Sequence, residues 1–143
     1  MIDISLLTSK FDDISVENDK INVTKNLISL LEFLKDAPEY NFDMLTSIVA
    51  VDLQDGIELI YQLYSVENSE KIEISYITKN LVAPSVVNIY NSSYFDECEI
   101  YDLFGVNFDG NINLKRLLLP DTWIGHPLLK SYVPSDERLV WND

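Results

Sequence analysis

One histidine, one cysteine and a run of closely spaced carboxylates are the groups in this sequence best placed to do chemistry. His126 stands alone, so a site built from several imidazoles is excluded. Cys98 is also single, so no disulfide can close within the chain and no set of thiolates can hold zinc or an iron–sulfur cluster. A thiol nucleophile needs a base within hydrogen-bond reach, and His126 could serve Cys98 in that way. Cys98, however, falls in an apolar series with Phe95, Tyr101 and Phe104, where a small buried thiol is the ordinary case. Asp96, Glu97, Glu99 and Asp102 could share a proton or hold a hard cation. On a helix Glu99 lies beside Asp102 while Glu97 turns to another side. The spacing therefore predicts a solvated or partner-facing acidic surface. Neither a phosphate-cradling P-loop nor a dinucleotide fingerprint occurs, so NADH binding by this chain is not expected.

The elements that must carry these groups follow from periodicity. Residues 1–19 are polar, with one helical turn around Leu6, Leu7 and Phe11, and Ile21 to Val23 suit a short strand. Thr24 offers an N-cap oxygen to a helix over residues 25–36, in which Leu27, Ile28, Leu31 and Leu34 form the stripe and Pro38 forces the end. Leu45 to Leu53 is rich in β-branched residues. Gln54-Asp55-Gly56 is a turn, with Gly56 suited to positive φ, and a second strand alternates from Ile57 to Tyr64. Glu67-Asn68-Ser69 then turns the chain into a third strand over residues 71–78. Three strands on short turns predict an antiparallel meander whose one buried face receives the first helix. Ser85 can cap a short turn through Val86 and Ile89, and Ser92 and Ser93 can cap a second helix that ends at Gly105.

The fold class expected is thus α+β: an antiparallel β-meander sheet with helices packed on one face and an extended C-terminal tail. The division expected is a core domain at residues 1–108 and a partner-binding tail at 109–143. That tail has no clear period, yet it carries Leu114, Leu117 to Leu119, Trp123, Leu128, Leu129, Tyr132 and Trp141. Burying one large apolar side chain contributes about 1.5–3 kcal/mol, so these residues should find a surface, either on their own domain or on a partner.

With 143 residues the chain suits a single domain of ordinary core size. Its 24 acidic residues against 10 basic ones give a net charge of −14. Nucleic acid and anionic lipid surfaces both select for Lys and Arg, so neither is an expected partner, and basic protein surfaces are. The N-terminal residues lack a basic leader with an apolar run, and no apolar stretch of about 18 residues occurs. A cytoplasmic location is expected, with any membrane association made through partners.

Five segments together carry a family resemblance. FDMLTSIVAVDL and LIYQLYSVEN precede VAPSVVNIYNSSYFDECEIYDLFGVNFDG, after which come NLKRLLLPD and TWIGHPLLKSY. In this order, over roughly residues 20–133, they resemble the thirty-kilodalton (C-type) subunits of proton-pumping NADH:quinone oxidoreductases and related membrane-bound NiFe hydrogenases. Those subunits carry an E-R-E-x-x-D-x-F-G-I helix, a basic L-R-R-I-L segment and a closing W-x-G-H-P-L-R-K-D-Y. The resemblance implies a subunit of the hydrophilic arm with no catalytic residue or cofactor of its own, peripheral on the cytoplasmic face of the inner membrane. It would clamp the large hydrogenase-like subunit and the iron–sulfur subunits, leaving iron–sulfur clusters, and flavin or a NiFe centre, to its neighbours. The positions that match the family are Glu97, Glu99, Asp102, Lys115, Arg116, Trp123, Gly125, His126, Pro127 and Lys130. Charged residues among them would pair across subunits, with Leu118, Trp123 and Leu128 as apolar anchors. Cys98 stands where the family has arginine, Leu129 replaces an arginine and Ser131 an aspartate. Asn111-Ile112-Asn113 replaces a Gly-His-Pro-Asp stretch. These changes remove groups that could pair across an interface, and they leave open the equivalent subunit of an energy-converting hydrogenase or formate-hydrogenlyase-like complex. A free-standing acidic binding module also stays open; a small enzyme using Cys98 or the acidic helix is disfavoured by the single histidine.

Overall fold

The computed structural model describes residues 2–133; Trp141 and the rest of 134–143 lie outside the described residues. The chain runs α1 (Ile4–Lys10), β1 (Ile14–Glu17), β2 (Lys20–Val23), α2 (Leu27–Asp36), β3 (Met44–Asp52), β4 (Ile57–Ser65) and β5 (Glu70–Thr78). After these come β6 (Val82–Pro84), α3 (Ser93–Phe104) and β7 (Asn107–Asp109). Five strands form one sheet in the order β1-β2-β5-β4-β3, and β6 with β7 makes a small parallel pair. The fold is α+β with a mostly antiparallel sheet, as the meander of β3, β4 and β5 predicts.

The alternation of β4 places Ile57, Leu59, Tyr61, Leu63 and Ser65 inside and their neighbours half-out. Leu27, Leu30, Leu31 and Leu34 of α2 are fully buried and join the same core. Thr24 is not the cap of that helix. The Asp13 carboxylate, twelve or so residues upstream, accepts from the Lys25 and Asn26 amides at 2.8 Å each, and the Thr24 hydroxyl bonds to the Asp13 carbonyl. β1, which the polar composition of residues 1–19 hides, pairs antiparallel with β2. β2 in turn lies parallel to β5, which puts α2, β3 and β4 in the crossover that any parallel pair requires.

In the turn between β3 and β4 it is Gln54, not Gly56, that takes positive φ, at 74°. Gly56 sits in a tight space instead: a Cβ there would come within 3.0 Å of the Thr78 carbonyl oxygen and 3.1 Å of Ile77. β3 is an edge strand, and α3 lies over that edge. The Asp96 carboxylate accepts from the Ile48 amide at 3.3 Å, and the Ser92 hydroxyl donates to the Leu45 carbonyl at 3.1 Å. Ser92 and Ser93 thus give α3 no side-chain cap: Ser92 is turned to β3, and the buried Ser93 hydroxyl finds no partner among the described residues.

Candidate functional site: α3 and the segment that wraps it

The buried side of α3 differs from the one its apolar residues suggest. Ser93, Glu97, Cys98, Ile100 and Asp102 are buried, whereas Phe95 is 67% exposed. The acidic surface expected here is, at Glu97 and Asp102, interior, and Glu99 alone of the three family carboxylates is exposed. Both interior carboxylates are hydrogen-bonded on both oxygens within the chain, and each holds a different segment on the helix.

Glu97 holds the loop before α3 and the start of the tail. Its Oε1 accepts from the Val86 amide at 2.7 Å; its Oε2 accepts from the Ser85 hydroxyl at 2.8 Å and from the Asn111 side-chain amide at 2.9 Å. Burial raises its pKa, and the Val86, Ser85 and Asn111 donors offset that only in part. The local capping role expected of Ser85 is met through the Val87 amide, but its bond to Glu97 has no signal in the sequence. Asn111, a departure from the family motif, likewise brings its amide to the helix carboxylate.

Asp102 holds the distal tail. One oxygen, Oδ2, accepts from three consecutive amides, Leu117 at 3.2 Å, Leu118 at 2.8 Å and Leu119 at 3.0 Å. The other takes the Arg116 guanidinium at 2.8 Å. Burial on its own would raise this carboxyl, but Arg116 and the amides of Leu119, Leu118 and Leu117 hold it below the ordinary carboxylate range. Arg116 also donates to the Gly125 carbonyl at 2.9 Å, and His126 Nδ1 lies 3.0 Å from the Asp102 carbonyl. Gly105, in left-handed backbone at φ 79°, ends α3 as the sequence predicts. The Leu128 amide donates to the Leu103 carbonyl at 2.9 Å, and the Lys130 amide to Asp52 at 2.7 Å.

Residues 116–130 are therefore a loop tied at both ends, to the last turn of α3 and to the β3–β4 turn. Arg116 is half-buried and paired within the chain, as is His126, which also sits beside the Tyr101 ring with centroids 6.0 Å apart. Pro127 and Trp123 are half-buried, and the indole N–H of Trp123 finds no acceptor among the described residues. Lys115 and Lys130 are exposed. Exposed too are Leu118 at 65%, Ile124 at 80% and Leu128 at 52%. Cys98 is buried next to Tyr94, while His126 is taken up by the Asp102 carbonyl, so the conceivable thiol–imidazole pair is not assembled. What the arrangement does chemically is to pair Glu97, Asp102 and Arg116 within the chain and to present Leu118, Ile124 and Leu128 outward beside the exposed Lys115 and Lys130. No helix among the described residues is long and apolar enough to cross a membrane.

A profile of the family described as the respiratory-chain NADH dehydrogenase 30 kDa subunit matches residues 21–138. The chain is similar to the C subunit of NADH-quinone oxidoreductase from Rickettsia felis, with 37% identity over 124 residues, covering 79% of this chain and 60% of that one. It is also similar to part of the C/D subunit of NADH-quinone oxidoreductase from Chromohalobacter salexigens, with 36% identity over 118 residues, covering 74% of this chain and 20% of that one. The chain thus spans less than two thirds of the length of either relative. Among solved structures, the trypsin-resistant fragment of Nqo5 shares the fold, with a TM-score of 0.64, 21% identity and coverage of 78% of this chain and 97% of that one. A chain of the membrane-bound sulfane sulfur reductase, an archaeal respiratory membrane complex, has a TM-score of 0.59 and 27% identity, covering 76% of this chain and 69% of that one.

Proposed function

The chain belongs to the family of the respiratory-chain NADH dehydrogenase 30 kDa subunit, and on that premise we propose that it is a non-catalytic structural subunit in the hydrophilic arm of a proton-pumping NADH:quinone oxidoreductase. The observation that carries the proposal is the loop tied down by Asp102 and Arg116, which leaves Leu118, Ile124 and Leu128 in water at a substantial hydrophobic cost. Apolar side chains held outward by buried ion pairing suit a permanent interface, whose centre is apolar and whose rim is polar. Exposed Lys115 and Lys130 fit the rim. Residues 109–143 would form the partner-binding tail and residues 1–108 the core that carries it.

The partner would be the large hydrogenase-like subunit, flanked by iron–sulfur subunits. Support for a D-type neighbour comes from the Chromohalobacter relative, in which C and D share one name. Electron tunnelling needs fixed cofactor spacing, and a clamp without cofactors supplies that rigidity. Iron–sulfur clusters, and flavin or a NiFe centre, would belong to those neighbours, and the chain would sit on the cytoplasmic face of the inner membrane through them. Its internal pairing of Arg116 narrows the ion-pairing role to Glu99, Lys115 and Lys130. A second reading, the equivalent subunit of an energy-converting hydrogenase or formate-hydrogenlyase-like complex, is supported by the likeness to the archaeal respiratory complex at 27% identity.

Affinity purification of the tagged chain from its native cells in mild detergent tests the proposal. The expected result is co-recovery of a large hydrogenase-like subunit with iron–sulfur proteins. An NADH-oxidising flavoprotein among them selects the respiratory enzyme, and a NiFe-bearing large subunit selects the second reading. Recovery of the chain alone, where known complexes survive, overturns both in favour of a free-standing acidic binding module.

A further inference from the structure

Resting on the subunit reading, we infer that Asp102 is a positioning residue for assembly: its buried carboxylate folds the 116–128 loop before any partner arrives, so that the loop docks ready-formed into an apolar groove of the large subunit. Asp102 is wholly buried and cannot touch a partner. Its grip is nonetheless extensive for one side chain: three successive backbone amides converge on Oδ2, and a guanidinium takes Oδ1. Successive amides turned inward onto one anion force the backbone into a concave curl. Arg116 then closes the loop onto the Gly125 carbonyl, and Leu128 is hooked to Leu103, one residue beyond Asp102. The one charge of the loop that faces α3, Arg116, is thereby neutralised inside the chain. The curl leaves outside Leu118, Ile124 and Leu128, and an apolar groove rather than an acidic or basic surface is the complement to such a loop. Binding by a loop already in its bound shape avoids the ordering cost that a disordered segment meets at docking.

The inference is tested on the full chain, free and against the subcomplex purified from cells that lack this chain. Hydrogen exchange of the free wild-type chain should show the amides of Leu117, Leu118 and Leu119 exchanging at least about tenfold more slowly than in Asp102→Asn. The association rate constant of Asp102→Asn with the subcomplex should fall about tenfold or more, with α3 retained by circular dichroism. Arg116→Gln, which leaves the carboxylate and its three amides in place but removes the guanidinium from Asp102 Oδ1 and from the Gly125 carbonyl, should slow association less. If the three amides exchange at unstructured rates in the free wild type and are protected only in the complex, the loop folds on docking and the inference is overturned. Equal association rates for wild type and Arg116→Gln, in a preparation where Asp102→Asn unfolds α3, overturn it as well. Failure of the wild type to bind the subcomplex is a separate outcome: it removes the subunit reading, and slow exchange in the free chain would still show the loop preformed.

Discussion

The His126 ring lies directly over the α-carbon of Gly105: a Cβ built there would come within 2.6 Å of His126 Cδ2 and 3.0 Å of Cγ. Gly105 also holds a left-handed φ of 79°, so the position excludes side chains on two independent grounds. Gly105→Ala should cost about 1–2 kcal/mol from backbone strain alone and displace His126 from the Asp102 carbonyl. Tryptic cleavage at Lys115, Arg116 and Lys130 should accelerate before urea unfolds the sheet. An unchanged cleavage rate would show that the ring does not rest on the helix end.

Glu97 and Asp102 should make opposite contributions to pH-dependent stability. The Glu97 carboxyl, raised by burial, keeps its proton in the native state to higher pH than in the unfolded chain, so its contribution is full at low pH and is lost as pH rises through its folded pKa. The Asp102 carboxyl is depressed, so its contribution is full above the ordinary carboxylate pKa and is lost as pH falls through the folded value. Glu97→Gln should therefore gain on wild type as pH rises from the ordinary glutamate value of 4.5. Asp102→Asn should lose on wild type over the acidic range as pH rises. Urea midpoints measured across that range check both signs, and parallel curves for Glu97→Gln and wild type would refute the first.

The contrast between α3 and the rest of the core shows where the sequence is legible. Helix α2 and strands β3 to β5 can be placed within a residue or two, because their leucines and alternating residues bury against one another, and the polar groups among them (Ser65, Ser75, Thr78) are small hydroxyls rather than charges. In α3 the apolar series Phe95, Cys98, Tyr101 and Phe104 misleads, because the inner face buries two carboxylates whose donors come from residues 85–86, 111 and 116–119. Periodicity assumes that water solvates a charge, and here the chain itself does so. The Asp13 cap of α2 and the parallel β2–β5 pair are likewise long-range, and no local pattern records them. Of the site, Asp102, Arg116 and His126 stand out through family motifs, which fix positions in a sequence but not which partner each side chain meets.

Asp96 should act as a guard on the β3 edge of the sheet. Its carboxylate takes the outward amide of Ile48, which would otherwise be free to pair with another chain. Asp96→Ala should cost about 1 kcal/mol and give concentration-dependent association by light scattering. A variant that stays monomeric at all concentrations would show that α3 covers the edge without help from this bond.

The double substitution Trp123→Ala and Leu128→Ala should abolish assembly while leaving the isolated fold in place. Leu128 is tied to α3 through its backbone amide, which alanine keeps, while its side chain is 52% exposed and adds little to the core. Trp123 is half-buried, and its backbone amide bonds to the Pro120 carbonyl at 2.9 Å, again independent of the side chain. Its indole N–H has no acceptor among the described residues, so removing it breaks no hydrogen bond seen within the chain. An aromatic and a leucine at the centre of an apolar interface are together worth about 2–4 kcal/mol or more, a loss of about thirtyfold to a thousandfold in affinity. The variant should thus melt near the wild type and vanish from the affinity-purified complex. If thermal melting instead shows the core collapsing, the Trp123 indole is a structural plug between the loop and α3, and the docking surface must be sought elsewhere on the chain.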